Sequence, residues 1–512
     1  MRRSRPIGRA LSALAAMAFV VGCPSEEPEP EPEPTPAPPA GRMASDVALA
    51  GVTVNQGVAV VVQDGVDEVG VLDRNAPLVA GRPGILRAFV TPDEGFDARD
   101  LVGELVLVDG DTTQVRRQTR FIEGPSASED LDSTFVFDLA AEDVTSTTRW
   151  SLAVREVEGA PTTMDPGRWA AWPAVEEPTS PSADLDEAYD LGTTWLGASD
   201  WGGVVRVHII PVRYDTDGSG RLPDTSPEQL DLLRSWMLRL YPVREVVLEV
   251  GEVYPTTLPF DSSSGPMSDL LSELQELRTA RGIPFDTYIY AMVNPAESRA
   301  LYCSSGCTAG IAYRVFNPNT SRLRAGVGLG YSGVGTAETM AHEVGHNHDR
   351  GHADCGNPDN VDGNYPYPNA RIGVWGWDIV DGGLVDPVVH SDFMAYCDER
   401  WTSDYQYDRI WRRTATIEGL AQWQGEGADY QLVSLRPGGR STVRGVAHLA
   451  GPPTNDVTSV ELLDTSGSSL GKVDGHLVPI EDAGPGMAEL FVPVLSDDVA
   501  ALRLADGRVV ER

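Results

Sequence analysis

Residues 338–352 read Glu338-Thr339-Met340-Ala341-His342-Glu343-Val344-Gly345-His346-Asn347-His348-Asp349-Arg350-Gly351-His352. The pattern HExxH lies inside this stretch. On a helix, residues i and i+4 share one face a turn apart, so His342 and His346 present two imidazoles to one ion. Glu343 sits beside the first and reaches a water held there. Zinc catalysis needs this set: neutral nitrogen donors, an open fourth position and a carboxylate that accepts a proton from water. For His352 to reach the same ion, the helix must stop and the chain turn back. Asp349 is one of the few non-glycine types that tolerate the left-handed backbone such a turn needs, and Gly351 offers a second place for the bend to relax. His348 lies off the His342/His346 face and reads as a solvated residue at the helix end. Met340 reads as core packing.

Downstream stands Ser391-Asp392-Phe393-Met394-Ala395-Tyr396-Cys397. The spacing His342…His346…His352, followed by this segment, resembles the metzincin metallopeptidases, whose signature is a histidine triad plus a later Met-turn. The resemblance covers roughly residues 200–425, with its specific motifs in the last third. It implies that Met394 forms an apolar floor beneath a zinc site. Some metzincins, such as astacins and serralysins, also carry a Tyr two residues after that Met, and Tyr396 matches it as a candidate donor to the oxyanion. The family usually has Gly where Asp349 stands, so the turn is where this chain departs from the pattern. An edge strand before the helix pairs with substrate in that clan, which makes Ala325–Tyr331 the candidate for β-augmentation. Asp378 and Asp392 are candidates to orient the histidines. No Cys-switch segment is present to suggest a latency device.

The cysteines follow from this reading. Cys303 and Cys307 enclose three residues and make a small staple. Cys355 follows the third His and Cys397 follows Met394. If ligand loop and Met-turn converge under one zinc, these two thiols are neighbours and a disulfide pins one to the other. A thiolate zinc site is the competing reading, weakened by the lack of paired CxxC spacing.

Farther out, residues 1–22 hold an Arg-rich start and a short apolar run ending Val20-Val21-Gly22-Cys23. This resembles the signal and lipobox of bacterial lipoproteins, with Cys23 taking the lipid. Residues 23–45 are Pro/Glu-rich and read as an extended tether. Short β-branched runs over 46–195, ending in a Pro- and Asp-rich connection, predict an immunoglobulin-type β-sandwich. Strand and helix signals alternate from Val204, with a helix from Ser226 to about Tyr241 and another over Met267–Arg281. They place a mixed α/β catalytic domain at 196–425. Residues 426–512 return to short strands, a small C-terminal β-domain. The fold class expected is multidomain α+β, a metzincin-like zincin domain flanked by β-sandwich-like domains. His208, within an apolar strand, reads as a core histidine. Asp215-Thr216-Asp217-Gly218-Ser219-Gly220 looks like the start of a calcium loop but lacks its acidic twelfth position, so calcium is a weak second cofactor after Zn²⁺.

The chain has 512 residues, 40 Lys+Arg against 76 Asp+Glu and a formal net charge of −36. That charge repels phosphate backbones and argues against nucleic-acid binding. The reading that results is an extracytoplasmic zinc endopeptidase with Glu343 as general base. It acts on protein or peptide and is lipid-anchored to a bacterial membrane, the outer membrane or cell surface more than the inner. The sequence leaves two alternatives. One is a surface binding or adhesion lipoprotein with a structural zinc site. The other is a zinc hydrolase acting on a non-peptide amide.

Overall fold

A computed structural model of the chain describes residues 40–157, 170–174, 188, 191–421, 428–436, 441–449, 456–483 and 486–512. The segment expected as a signal, Cys23 and the expected tether as far as residue 39 lie outside these residues, as does much of the 159–195 connection. Residues 40–43, read from sequence as the end of the tether, instead form a strand paired with Arg149–Val157. Among the described residues no helix is long and apolar enough to cross a membrane.

The molecule mixes α and β structure, with extensive sheets and five helices among the described residues. Its first part is two antiparallel sheets. One runs 40–43, 149–157, 99–109, 112–122; the other runs 67–68, 59–64, 47–55, 84–92, 135–139. Alternating residues of each face the other sheet, so Val52, Val54 and Leu86 pack with Leu105, Trp150 and Leu152 in one core.

A mainly parallel sheet follows, in the order Glu245–Val250, Val204–Tyr214, Thr287–Val293, Ala325–Leu329. The strand Gly310–Tyr313, the rim strand, lies antiparallel on its far side. Helices α1 (Pro227–Leu240), α2 (Gly265–Arg281), α3 (Arg299–Tyr302), α4 (Val334–Asn347) and α5 (Asp404–Ala421) complete this region. Period-two alternation splits the central strand between two cores. Ile289, Ala291 and Val293 pack with α2, whereas Tyr288, Tyr290 and Met292 pack with α1 and α4.

Helix α1 starts where Ser226 accepts from the Gln229 backbone N–H at 3.3 Å, with Pro227 in the first turn, and it stops before Pro242. Gly282 closes α2 at φ 62°, a conformation open to glycine. The last strands, 428–511, are antiparallel. They do not form a detached module, because Ser469–Glu481 pairs with the rim strand and continues the sheet. Leu432, Val478, Ile480 and Phe491 share the core of α2.

Candidate metal centre

Helix α4 carries the HExxH pattern, and its start is fixed from α1. Gly333 precedes it at φ 113°. The Gln229 amide donates to Gly333 O at 3.3 Å and accepts from Gly333 N at 2.7 Å. Gln229, in the first turn of α1, thus clamps the start of α4. At the other end the chain reverses at Asp349, φ 65°. The left-handed turn forms on Asp, whose carboxylate is held by Arg314 at 3.2 Å and Arg413 at 3.3 Å. Gly351 is not the hinge. It is small because a Cβ there would stand 2.8 Å from the Arg314 guanidinium.

The turn brings His352 back to His342 and His346, and all three are buried. Their outer nitrogens are committed to main-chain carbonyls. His342 Nδ1 faces Phe393 O at 2.8 Å, His346 Nδ1 faces Arg350 O at 2.7 Å, and His352 Nδ1 faces Asp359 O. A carbonyl only accepts, so each Nδ1 carries a hydrogen, and in the neutral imidazole each Nε2 then points a lone pair inward. The Nε2 atoms of His342 and His346 are 3.1 Å apart.

A fourth group joins them that no motif announced. The Asp482 carboxylate lies 3.3 Å from His342 Nε2, 3.4 Å from His346 Nε2 and 3.1 Å from His352 Nε2. One ligand atom from each of the four residues falls within 4.8 Å of the others. His352 Nε2 is buried without a hydrogen bond. Imidazole lone pairs and a carboxylate converging on one point are unfavourable unless a cation sits among them. The donor set therefore fits a metal ion.

Glu343 is buried and faces the same place, and its Oε2 has no partner. Burial first, and then the charges of Asp482 and Glu481, push its carboxyl well above the usual range. Gly310 on the rim strand makes room for it, since a Cβ there would meet Glu343 Oε1 at 2.5 Å. The Tyr396 ring lies 5.1 Å from that of His352 and 5.9 Å from that of His342, and its hydroxyl donates to Asp482.

Met394 is fully buried beneath α4, where Gly345 leaves space for its sulfur. Asp392 fixes this turn, accepting from the Met394 and Ser403 backbone N–H groups at 2.9 Å each. Burial lifts the Asp392 carboxyl to about 6. Its bonds go to the Met394 turn, while backbone carbonyls orient the histidines. Asp378 is elsewhere, paired with Arg239 at 3.1 Å. Both disulfides form, Cys303–Cys307 and Cys355–Cys397. The second ties the His352 loop to the Met394 segment, alongside Ala353 N donating to Met394 O at 3.0 Å and Tyr396 N to Cys355 O at 3.0 Å.

Other expectations need correction. Ala325–Leu329 is not an edge, being paired with Thr287–Val293 on one side and the rim strand on the other. His348 is not solvated. It is buried, stacked on Tyr288 at 4.6 Å, with Nδ1 to Val344 O at 2.8 Å and Nε2 to the Tyr288 hydroxyl at 3.0 Å. His208 is buried in its strand, but Nε2 lacks a partner. The 215–220 loop is a turn. Its Asp217 carboxylate is paired with Arg221 at 2.5 Å, which puts a guanidinium where a calcium ion would need free oxygens.

A cleft of about 320 Å³ opens beside these groups, lined by Thr339, Glu343, Tyr396, Arg299, Arg400 and Asp482 among others. Residues 310–434 match the Peptidase M66 family. The match supports a metallopeptidase, hence a hydrolase acting on protein or peptide. It runs from the rim strand through α4, the His352 loop and α5, and it stops short of Asp482. No curated protein matches the chain.

Proposed function

We propose that the protein is an exported, lipid-anchored zinc endopeptidase. The observation that carries this reading is the convergence of three Nε2 lone pairs, each imidazole locked by a carbonyl, beside an unpartnered Glu343. All of it lies within the stretch that matches a peptidase family. His342, His346 and His352 hold the metal. Zinc bound there supplies Lewis acidity towards water and the scissile carbonyl. Glu343 takes a proton from the attacking water and returns it to the leaving amine. Its unpartnered Oε2 is free for that proton. The Tyr396 hydroxyl donates to the developing oxyanion. The Gly310–Ile311 end of the rim strand, which lies outside its pairing with Ser469–Glu481, offers backbone hydrogen bonds to an extended peptide. The parallel sheet with an antiparallel rim, and Met394 under the histidines, support the metzincin-like assignment of residues 196–425.

Residues 1–22 act as the signal, Cys23 carries the lipid and residues 23–39 form the tether. The 46–195 and 426–512 regions flank the enzyme at the outer membrane or cell surface. A binding lipoprotein with a structural zinc site is less favoured, because such a site has no use for a buried unpaired carboxylate next to an open cleft. The family match likewise favours peptide over other amide substrates.

The test measures zinc per chain in the parent and its Glu343→Ala form, with prolonged incubation on denatured casein, with and without chelator. One zinc in each, and chelator-sensitive cleavage by the parent alone, is expected. A folded parent without zinc defeats the metal reading.

A further inference from the structure

Asp482 belongs to neither the motif nor the matched region, yet it reaches the centre of the site. It is the residue immediately after the strand Ser469–Glu481, which lies antiparallel on the rim strand with Ala312 opposite Glu481 and Tyr313 opposite Ile480. Arg314 N donates to Pro479 O at 3.1 Å. An extended peptide adding to this sheet would use the same edge. Residues 479–482 thus run as a bound peptide would, and then aim a carboxylate at the three Nε2 atoms, as a cleaved product would.

The segment is fastened on all sides. Glu481 is buried and accepts from the Asn360 amide at 2.7 Å. Ser264 donates to Ala483 O at 2.6 Å. Ile480 and Ala483 pack into the α2 core. Tyr396, the candidate oxyanion donor, is occupied by Asp482 itself. Asp482 adopts φ 60°, a left-handed conformation uncommon for a residue with a side chain.

We propose that residues 479–483 are a tethered, product-like inhibitor, with Asp482 taking the fourth coordination position and the adjoining strand covering the rim, so that catalysis requires this segment to leave. The proposal rests on the metallopeptidase reading. Because the carboxylate is intramolecular, it competes at a high effective concentration with any peptide in solution. Asp482 fills the position that attacking water needs, and the same displacement frees Tyr396.

The test uses the full chain loaded with Co²⁺, whose visible spectrum reports the ligand set. Parent, Asp482→Gly and Asp482→Asn are compared. Glycine accepts φ near 60° without strain, so it spares the turn, and Asn keeps the shape while removing the charge. Acetohydroxamate is titrated as a bidentate probe of the open position, and casein cleavage by the zinc forms is measured in parallel. The expectation is a changed cobalt spectrum in both variants. Hydroxamate binding should be at least about tenfold tighter in Asp482→Gly than in the parent, with casein cleavage raised by a similar factor. Equal spectra and equal hydroxamate affinity in parent and variants overturn the inhibitor, and cleavage by the parent then leaves the peptidase standing. Tighter hydroxamate binding without cleavage in any form upholds the plug and overturns the peptidase. Failure of all three folded proteins to bind cobalt overturns both.

Discussion

A methyl group on residue 345 would stand 2.5 Å from the Met394 sulfur. In an exposed helix Gly→Ala gains up to about 1 kcal/mol, because glycine loses more backbone freedom on folding. Here the sign reverses. Gly345→Ala should lower stability by about 1–3 kcal/mol, read from the denaturant midpoint, since a packed sulfur and helix must both shift. Asp392 makes a second prediction. Its carboxyl is raised by burial to about 6 from an ordinary 3.8. The native state then binds this proton more tightly than the unfolded chain, so stability falls as pH rises from about 4 to about 6, and the cost is complete above that. The effect is on the order of 3 kcal/mol. Unfolding curves at about pH 4.5 and about pH 7 should show a shallower pH dependence in Asp392→Asn than in the parent. An equal slope in the two would show that Asp392 does not titrate in this window.

Helix α4, the Asp349 turn and the Met394 segment work as one unit. The helix supplies two imidazoles, the turn returns the third, and the Phe393 carbonyl orients the first from below. The Cys355–Cys397 bridge, spanning 42 positions, joins the last two pieces. Closing a loop of that length stabilises by about 4 kcal/mol in the chain-entropy picture. Replacing both cysteines with serine should therefore lower stability by roughly that amount. It should also weaken metal retention against a chelator, because the His352 loop loses its tie to the floor. A doubly substituted protein that unfolds like the parent would show that the backbone bonds of Ala353 and Tyr396 suffice.

The N-terminal sandwich is built into the enzyme. Arg82 is wholly buried. It donates to Gln56 O at 2.6 Å, to Leu238 O at 2.7 Å and to Val243 O, and so joins the sandwich to the end of α1. Trp401 donates to Gly57 O at 2.8 Å and Tyr407 to Gln56 O at 2.8 Å, tying the same strand end to the segment after the Met394 turn. Arg82→Met keeps the apolar stem but leaves the carbonyls of Gln56, Leu238 and Val243, two of them in buried residues, without this donor. A loss on the order of 3 kcal/mol is expected. Hydrogen exchange should rise together at 56–58 and 238–243, while a rise confined to the sandwich would refute the coupling.

Much of the site is legible before folding is considered. HExxH on a helix dictates two imidazoles and a carboxylate at one place, because side chains four apart share a face. The third His, the tolerance of Asp349 for a left-handed turn, and the nearness of Cys355 to Cys397 follow from local backbone rules and from the family resemblance. Strand and helix alternation from Val204 is likewise a matter of local periodicity. What the chain order hides is who meets across it. Asp482 carries no spacing signal towards His352, and a single carboxylate at the end of a strand looks like surface. Only the pairing of its strand with the rim, set by the burial of Ile480 and Phe491 against α2, carries it to the histidines. The same holds for Arg82, for Gln229 clamping Gly333, and for the burial of His348 under Tyr288. Local conformation is encoded by neighbours along the chain. The partners of a buried polar group are chosen by which surfaces the hydrophobic core brings together.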